Sequence, residues 1–262
     1  MDPVFRIAVC SWAVLTPLVA HAQGASALAR QTQNPVASLV SVPIQANWDS
    51  GLGERETTGT LVNVQPVMPF SFNKDWNVIL RVVMPFASQA TAAGPTVSGM
   101  GDTVATAFLS PVTSSRFIWG AGPVFLLPTA TTTRLGAEKI GLGPSIVALG
   151  QPGRVTVGVL YNQIWSISGA NDRADVSQML VQPFFNYNLG DGLSVGAVSE
   201  ASANWSADSN QWSVPVLFTV SKVAVLGKRP VNFQAAAGPY LDDREHGAEW
   251  RLRLSITFLF PR

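Results

Sequence analysis

Apolar and polar residues alternate along this chain in runs of about ten, and a period of two marks a strand with unlike faces. In the last run Trp250, Leu252, Leu254, Ile256, Phe258 and Phe260 share one face, while Arg251, Arg253, Ser255 and Thr257 share the other. Another run sets Trp212, Val214, Val216, Phe218 and Val220 against Gln211, Ser213, Thr219 and Ser221. From Val231 to Ala237 the odd positions are apolar or small, and Asn232 and Gln234 point the other way. After Ala22 no stretch reaches the ~18 uninterrupted apolar residues of a spanning helix. Strands that are greasy on one side and wet on the other suit a closed sheet, with lipid outside and a polar lumen inside. The pattern therefore predicts an all-β transmembrane antiparallel β-barrel.

Twelve segments can be placed, at 38–48, 59–70, 77–87, 102–111, 117–128, 140–150, 155–167, 176–188, 193–205, 211–222, 230–240 and 250–260. Ten or fourteen strands remain as alternatives. Connections after odd-numbered segments are mostly longer and charged: 49–58, 88–101, 129–139, 168–175, 206–210 and 241–249. Those after even-numbered segments are tighter, as at Pro152-Gly153 and Asp191-Gly192. Long loops on one rim and short turns on the other are the habit of outer-membrane barrels. The seven tryptophans beyond Ala22 all fall near segment ends. Trp48, Trp165, Trp205, Trp212 and Trp250 adjoin the long loops, and Trp76 and Trp119 the short turns, as two aromatic girdles require. Prolines at 43, 66, 85, 123, 144, 183, 215 and 239 run against the model. Each lacks an N–H for the ladder and should mark a bulge, a kink or a strand end.

Composition sharpens this picture. Only 13% of the 262 residues are charged, mean hydropathy is +0.23 and net charge is +1. A soluble surface carries roughly a quarter charged residues. With no Lys/Arg cluster, nucleic acid is not an expected partner. Residues 1–22 read as a cleaved signal peptide: Arg6, an apolar stretch from Ile7 to Val19, then Ala20-His21-Ala22. Residues 23–37 form a lead-in, and 38–262 the barrel. Cys10 leaves with the leader, so no disulfide can brace the processed chain.

On the polar phase of the strands lie Asn63, Gln65, Arg81, Asn162, Gln182, Glu200, Asn232, Gln234, Arg251 and Arg253. They are candidate lumen-lining residues that would select solutes if the lumen is open. If it is closed, they pair with one another. The acidic long loops (Glu54, Glu56, Asp172, Asp175, Asp242, Asp243, Glu245) lack the ligand spacing of a calcium loop, and no metal or cofactor is expected. Basic residues gather in the short turns, at Lys74, Arg116, Arg154, Lys228 and Arg229. A hydrolase reading rests on His246 beside Glu245, but no Gly-x-Ser-x-Gly nucleophile accompanies them, and no enzyme is expected. Gly99-x-Gly101-Asp102 reads as the start of a strand rather than a phosphate loop, because no helix follows.

Several stretches, taken together, resemble one known family. They include Asn34-Pro35 with Ala37-Ser38-Leu39, Asn63-Val64-Gln65-Pro66-Val67, Gly101-Asp102 and Trp119-Gly120-Ala121-Gly122-Pro123. Leu127-Pro128-Thr129-Ala130, Gly143-Pro144-Ser145, Gln182-Pro183-Phe184 and Gln211-Trp212-Ser213-Val214-Pro215 continue the likeness to the Leu-Phe-Pro ending. The family is the outer-membrane group labelled MetA-pathway of phenol degradation, catalogued as a transporter, some members of which bear the name neuromedin U. The resemblance implies a porin-like outer-membrane barrel moving small hydrophobic or aromatic solutes, and it brings no catalytic residues. Outer-membrane lipid, lipopolysaccharide and the barrel-insertion machinery are the partners it implies. The ending departs from the usual insertion signal, since Pro261-Arg262 follow Phe260. A closed structural or surface-interaction barrel is the alternative, and an outer-membrane hydrolase the more distant one.

Overall fold

A computed structural model describes residues 16–54, 56–91, 94–112, 115–227, 229–242 and 247–261. One helix, α1 (Thr16–Thr32), precedes β1 (Val40–Leu52), β2 (Thr57–Val64), β3 (Val67–Ser71), β4 (Trp76–Thr91), β5 (Gly94–Met100) and β6 (Thr103–Pro111). Then come β7 (Phe117–Leu127), β8 (Lys139–Gly150), β9 (Val155–Gly169), β10 (Ser177–Gly190), β11 (Leu193–Ser199) and β12 (Ala201–Asn204). The last are β13 (Trp212–Ser213), β14 (Val216–Leu226), β15 (Arg229–Pro239) and β16 (Trp250–Phe260). Four spans are each broken into two pieces (β2–β3, β5–β6, β11–β12, β13–β14), so the sixteen pieces make twelve spans. Neighbours pair antiparallel around the ring, from β11 through β14, β15, β16, β1, β2, β4, β6, β7, β8, β9 and β10. The β10–β11 pairing closes the barrel.

The faces sort as the alternation predicts, with the polar side innermost. Along β16, Leu254 is 50% exposed and its neighbour Arg253 only 2%. Trp250, Leu252, Ile256 and Phe258 are likewise exposed, whereas Ser255 and Thr257 are buried. On β14, Phe218 and Val220 face out while Leu217 and Thr219 face in. Burying arginine and threonine while exposing leucine inverts the order that water enforces. Hydrocarbon around the ring removes the conflict, because a closed ladder pairs its backbone groups between strands rather than with water. Among the described residues no helix is long and apolar enough to cross a membrane.

Of the expected bulges, kinks and strand ends, the prolines give strand ends, as at Pro215 just before β14 and Pro239 closing β15, and no bulge. Register shifts occur at Asp49/Leu52, Gln89/Thr91, Ile140/Gly141 and Asn188/Gly190, none of them at a proline. The prolines instead leave gaps in an unshifted ladder. Pro66 follows the break between β2 and β3, and Gly101 N donates to Pro85 O beside the break between β5 and β6. Glu200 interrupts β11–β12 in register with Gln182, one residue from Pro183. Removing one N–H takes out one bond but does not change the residue count, so the register survives.

Two of the expected loops are shorter than the sequence suggests. Positions 49–58 and 88–101 are largely hydrogen-bonded ribbon, with Leu52 opposite Thr57 and Ser88 opposite Ser98. The Ser88 and Ser98 hydroxyls meet at 2.8 Å. Thr, Ser and Val continue the β-prone alternation there without its greasy phase, so the strands outrun the apolar band. Lys228, Asp243, Glu245, His246 and Arg262, with residues 1–15 of the expected leader, lie outside the described residues.

Candidate functional site

The register builds an ionic cluster on the inner wall. Asn47 and Asp49 of β1 stand directly opposite Arg253 and Arg251 of β16, so each pair shares a face. Arg251 Nε and Nη2 donate to the two oxygens of Asp49 at 2.6 and 2.9 Å, and its Nη1 donates to Glu200 Oε2 at 3.3 Å. Arg253 Nε donates to Asn47 Oδ1 at 2.6 Å, while its other two nitrogens hold Glu200 at 2.9 and 2.5 Å. Tyr240 donates its hydroxyl to Asp49 at 2.9 Å and lies under the Arg251 guanidinium. β14 and β15 lie between the arginines and Glu200, and β15 offers Ala236 opposite Arg253 and Gly238 opposite Arg251.

A second thread runs from Arg81 on β4. Its Nη2 donates to Gln65 Oε1 at 2.8 Å, and Gln65 Nε2 donates to Gln45 Oε1 at 3.0 Å. Gln45, Gln65, Arg81, Gln182 and Glu200 form a belt that touches both internal cavities. One cavity, about 520 Å³, lies toward the long loops; its walls include Asn63, Asn162, Val83, Val104, Ile164 and Leu180. The other, about 220 Å³, lies toward the short turns and takes in Asn232, Gln234 and Arg253. Of the ten candidate lumen residues, nine therefore sit on cavity walls, and Arg251 stands behind the belt in the ionic cluster. Asn232 Oδ1 has no partner among the described residues, although it faces the smaller cavity.

The short-turn mouth holds something the alternation did not predict. The end of α1 and the segment after it are lodged there. Ala25, Leu28 and Ala29 pack with Ala37 and Leu39 against Val223 and Leu259, and Val36 packs with Ile79, Phe108 and Leu149. Arg30 donates to Gly153 O at 2.6 Å and to Gln151 O at 2.7 Å, both in the β8–β9 turn. Gln33 donates to Asn188 and Ser194, each at 3.1 Å. A sequence signal exists: Ala25, Leu28 and Ala29 have the i, i+3, i+4 spacing of a helix face. It is short and follows directly on the expected leader, so it reads as part of a lead-in.

The tryptophans stand at the two rims. Trp76 and Trp119 meet edge to face at 5.9 Å on the short-turn side, and Trp205 and Trp212 at 5.5 Å on the long-loop side. Trp119, Trp165, Trp205, Trp212 and Trp250 are exposed; Trp48 and Trp76 are half-buried. Asp102, at the break before β6, accepts from Ala130 N and Ala137 N and so pins the loop over 128–138. Among the described residues no three His, Cys, Asp or Glu side chains gather.

The fold and this lumen define a twelve-stranded transmembrane barrel with its short-turn mouth filled by its own N-terminal segment. No family model matches the chain. No curated protein matches it either. Among solved structures it is similar to a COG4313 outer membrane channel from Pseudomonas putida F1, at 16% identity and a TM-score of 0.64. That match covers 85% of this chain and 96% of the other. It is also similar to outer membrane phospholipase A from Escherichia coli, at 9% identity and a TM-score of 0.49, over 84% and 90% of the two chains. The first likeness bears on the fold alone, and the second is too distant to carry an argument.

Proposed function

We propose that this chain is an outer-membrane barrel through which small hydrophobic or aromatic solutes move passively, as its resemblance to the MetA-pathway family implies. The observation that carries the reading is the inverted wall. Leucines and aromatics face outward, and the arginines and amides face internal cavities, the larger of which, at about 520 Å³, has room for a small molecule. Its structural likeness to an outer membrane channel points the same way. Export through the segment 1–22, cleavage after Ala22, and delivery by the barrel-insertion machinery into a lipopolysaccharide-bearing membrane complete the proposal. The processed chain would keep ten residues of α1, too few to be stable alone. The segment would then stay in the mouth through Arg30, Gln33 and the Val36 contacts, and it would leave when a solute is passed.

The test is single-channel recording from the processed chain in planar bilayers, beside a variant carrying Arg30→Ala and Gln33→Ala. The wild type should show small, intermittent conductance, and the variant openings several times more frequent. Arg81→Ala or Arg253→Ala should alter the conductance of either. Silence in both proteins would favour the closed structural barrel, since the belt and the mouth segment already narrow the lumen. The hydrolase alternative needs His246, and unchanged lipid turnover on His246→Ala would dismiss it.

A further inference from the structure

Three guanidiniums and two carboxylates meet on the inner wall, so this cluster carries one uncompensated positive charge. The surplus can be located. Both oxygens of Glu200 are held by Arg251 and Arg253, and both oxygens of Asp49 by Arg251. Among the described residues Arg81 has one hydrogen bond, to the neutral amide of Gln65. A guanidinium is always charged, and Arg81 shares its carboxylate, Glu200, with Arg251 and Arg253, whose hydrogen bonds take both oxygens, so Arg81 has no counter-ion of its own. Arg81 lines both cavities, and it shares the wall of the larger one with Val83. Val83 lies two residues along β4, on the same face, and is paired with Val104. Ile164 and Leu180 supply the apolar side of the same cavity.

We propose that Arg81 is the seat of a lumenal binding site for small amphipathic carboxylates, the carboxylate on the guanidinium and the apolar tail against Val83, Val104, Ile164 and Leu180. A planar fork of donors matches a carboxylate in shape. A single surplus charge matches a monoanion and would leave a phosphate dianion half-neutralised. The cavity, at about 520 Å³, is in the size range of small-molecule sites. The inference deepens the solute-channel reading and rests on it for its biological role, but the binding itself can be measured without flux.

The experiment is equilibrium binding of radiolabelled benzoate at neutral pH to the processed barrel in lipid nanodiscs, with benzyl alcohol, acetate and phenyl phosphate as comparators. Benzoate should be held about tenfold more tightly than benzyl alcohol, the value of a charge-assisted hydrogen bond. Acetate, without the tail, should bind more weakly than benzoate, and phenyl phosphate no more tightly. Arg81→Gln should erase the preference for benzoate over benzyl alcohol, and Arg81→Lys should keep part of it. Equal retention of benzoate and benzyl alcohol by the wild type overturns the proposal, as does a preference that survives Arg81→Gln. If Arg81→Gln fails to fold, seen as loss of the heat-dependent shift on a gel, Val83→Asn serves instead. It should weaken benzoate and leave acetate unchanged, and loss of neither would refute the apolar half of the site. Failure of the channel itself would show separately, as silence in the bilayer recordings.

Discussion

Two parts of the wall are built in opposite ways. Around β15, β16 and β1 the register runs unbroken, with Val40 to Ser50 each opposite a residue of β16 and Val231 to Pro239 likewise. The β7–β8 hairpin is also continuous within itself, but the seams on both sides of it have gaps. Between β6 and β7 the pairing stops at Thr106↔Val124 and resumes at Leu109↔Ala121. Between β8 and β9 it stops at Leu142↔Trp165 and resumes at Ser145↔Asn162. The gaps face Gly122-Pro123 and Gly143-Pro144, and the two prolines lie directly opposite one another. The interiors differ too. The unbroken seam carries Arg251, Arg253, Asn47 and Asp49, whereas the gapped one presents Val124, Val147, Ile164 and the buried hydrogen-bonded pair of Ser145 and Asn162. The contrast teaches where a barrel can yield. A buried ionic network needs fixed geometry, because any shift leaves a charge unpaired, while a neutral lining tolerates movement.

The largest expected effect breaks the rigid side. Replacing Glu200 with Ala leaves Arg81, Arg251 and Arg253 facing Asp49 alone. Loss of one partner from a buried ion pair costs about 3–5 kcal/mol. Urea unfolding of the barrel in lipid vesicles measures it, and a loss below about 1 kcal/mol would mean that the cluster is wetter than its geometry implies. The next effect sharpens the yielding side. A Cβ added at Gly143 would collide with the carbonyl oxygen of Gln163, in the gap itself. Gly143→Ala should therefore force β8 from β9 and cost about 1–3 kcal/mol in the same titration. Gly150→Ala, where an added Cβ meets only ordinary contacts at 3.8 Å and beyond, is the control and should be close to neutral. Equal costs would mean that the proline gaps are not close approaches of backbone.

Alternation made most of this architecture legible, because a strand between lipid and lumen must write its two faces into every second residue. The run from Trp250 to Phe260 states both sides of the wall outright, and the twelve segments coincide with the twelve spans to within about four residues at each end, except that the fourth span starts eight residues earlier, at Gly94. The polar phase likewise placed Arg81, Gln65 and Gln182 toward the lumen. What stayed hidden depended on partners distant in sequence. That Arg253 meets Glu200 across β14 and β15 depends on pairings distant in sequence, and no local pattern announces that arrangement. The mouth segment was missed for the same reason: Arg30 finds its partners at Gln151 and Gly153, on backbone carbonyls that carry no signature in the sequence. The ribbons beyond the membrane were misjudged because alternation fades once both faces meet water.

The smallest effect lies on the long-loop rim, where β8 and β9 rejoin above their gap. Lys139 Nζ contacts Asp175 at 3.1 Å, and Ser166 Oγ donates to the same carboxylate oxygen at 3.1 Å. The hydrogen bond from Lys139, then that from Ser166, then the lysine charge hold the Asp175 carboxyl below its ordinary pKa. A depressed carboxylate contributes stability above its unfolded value and loses it as pH falls through the folded one. Asp175→Asn should therefore be slightly less stable than the wild type at neutral pH, and the two proteins should converge as the medium is acidified through and below the carboxylate range. Because the carboxylate is largely exposed, added salt should shrink the difference as well. If the gap between the two proteins persists unchanged into acid, the contact is not ionic, and the gapped seam is tied at its top by Ser166 and the backbone alone.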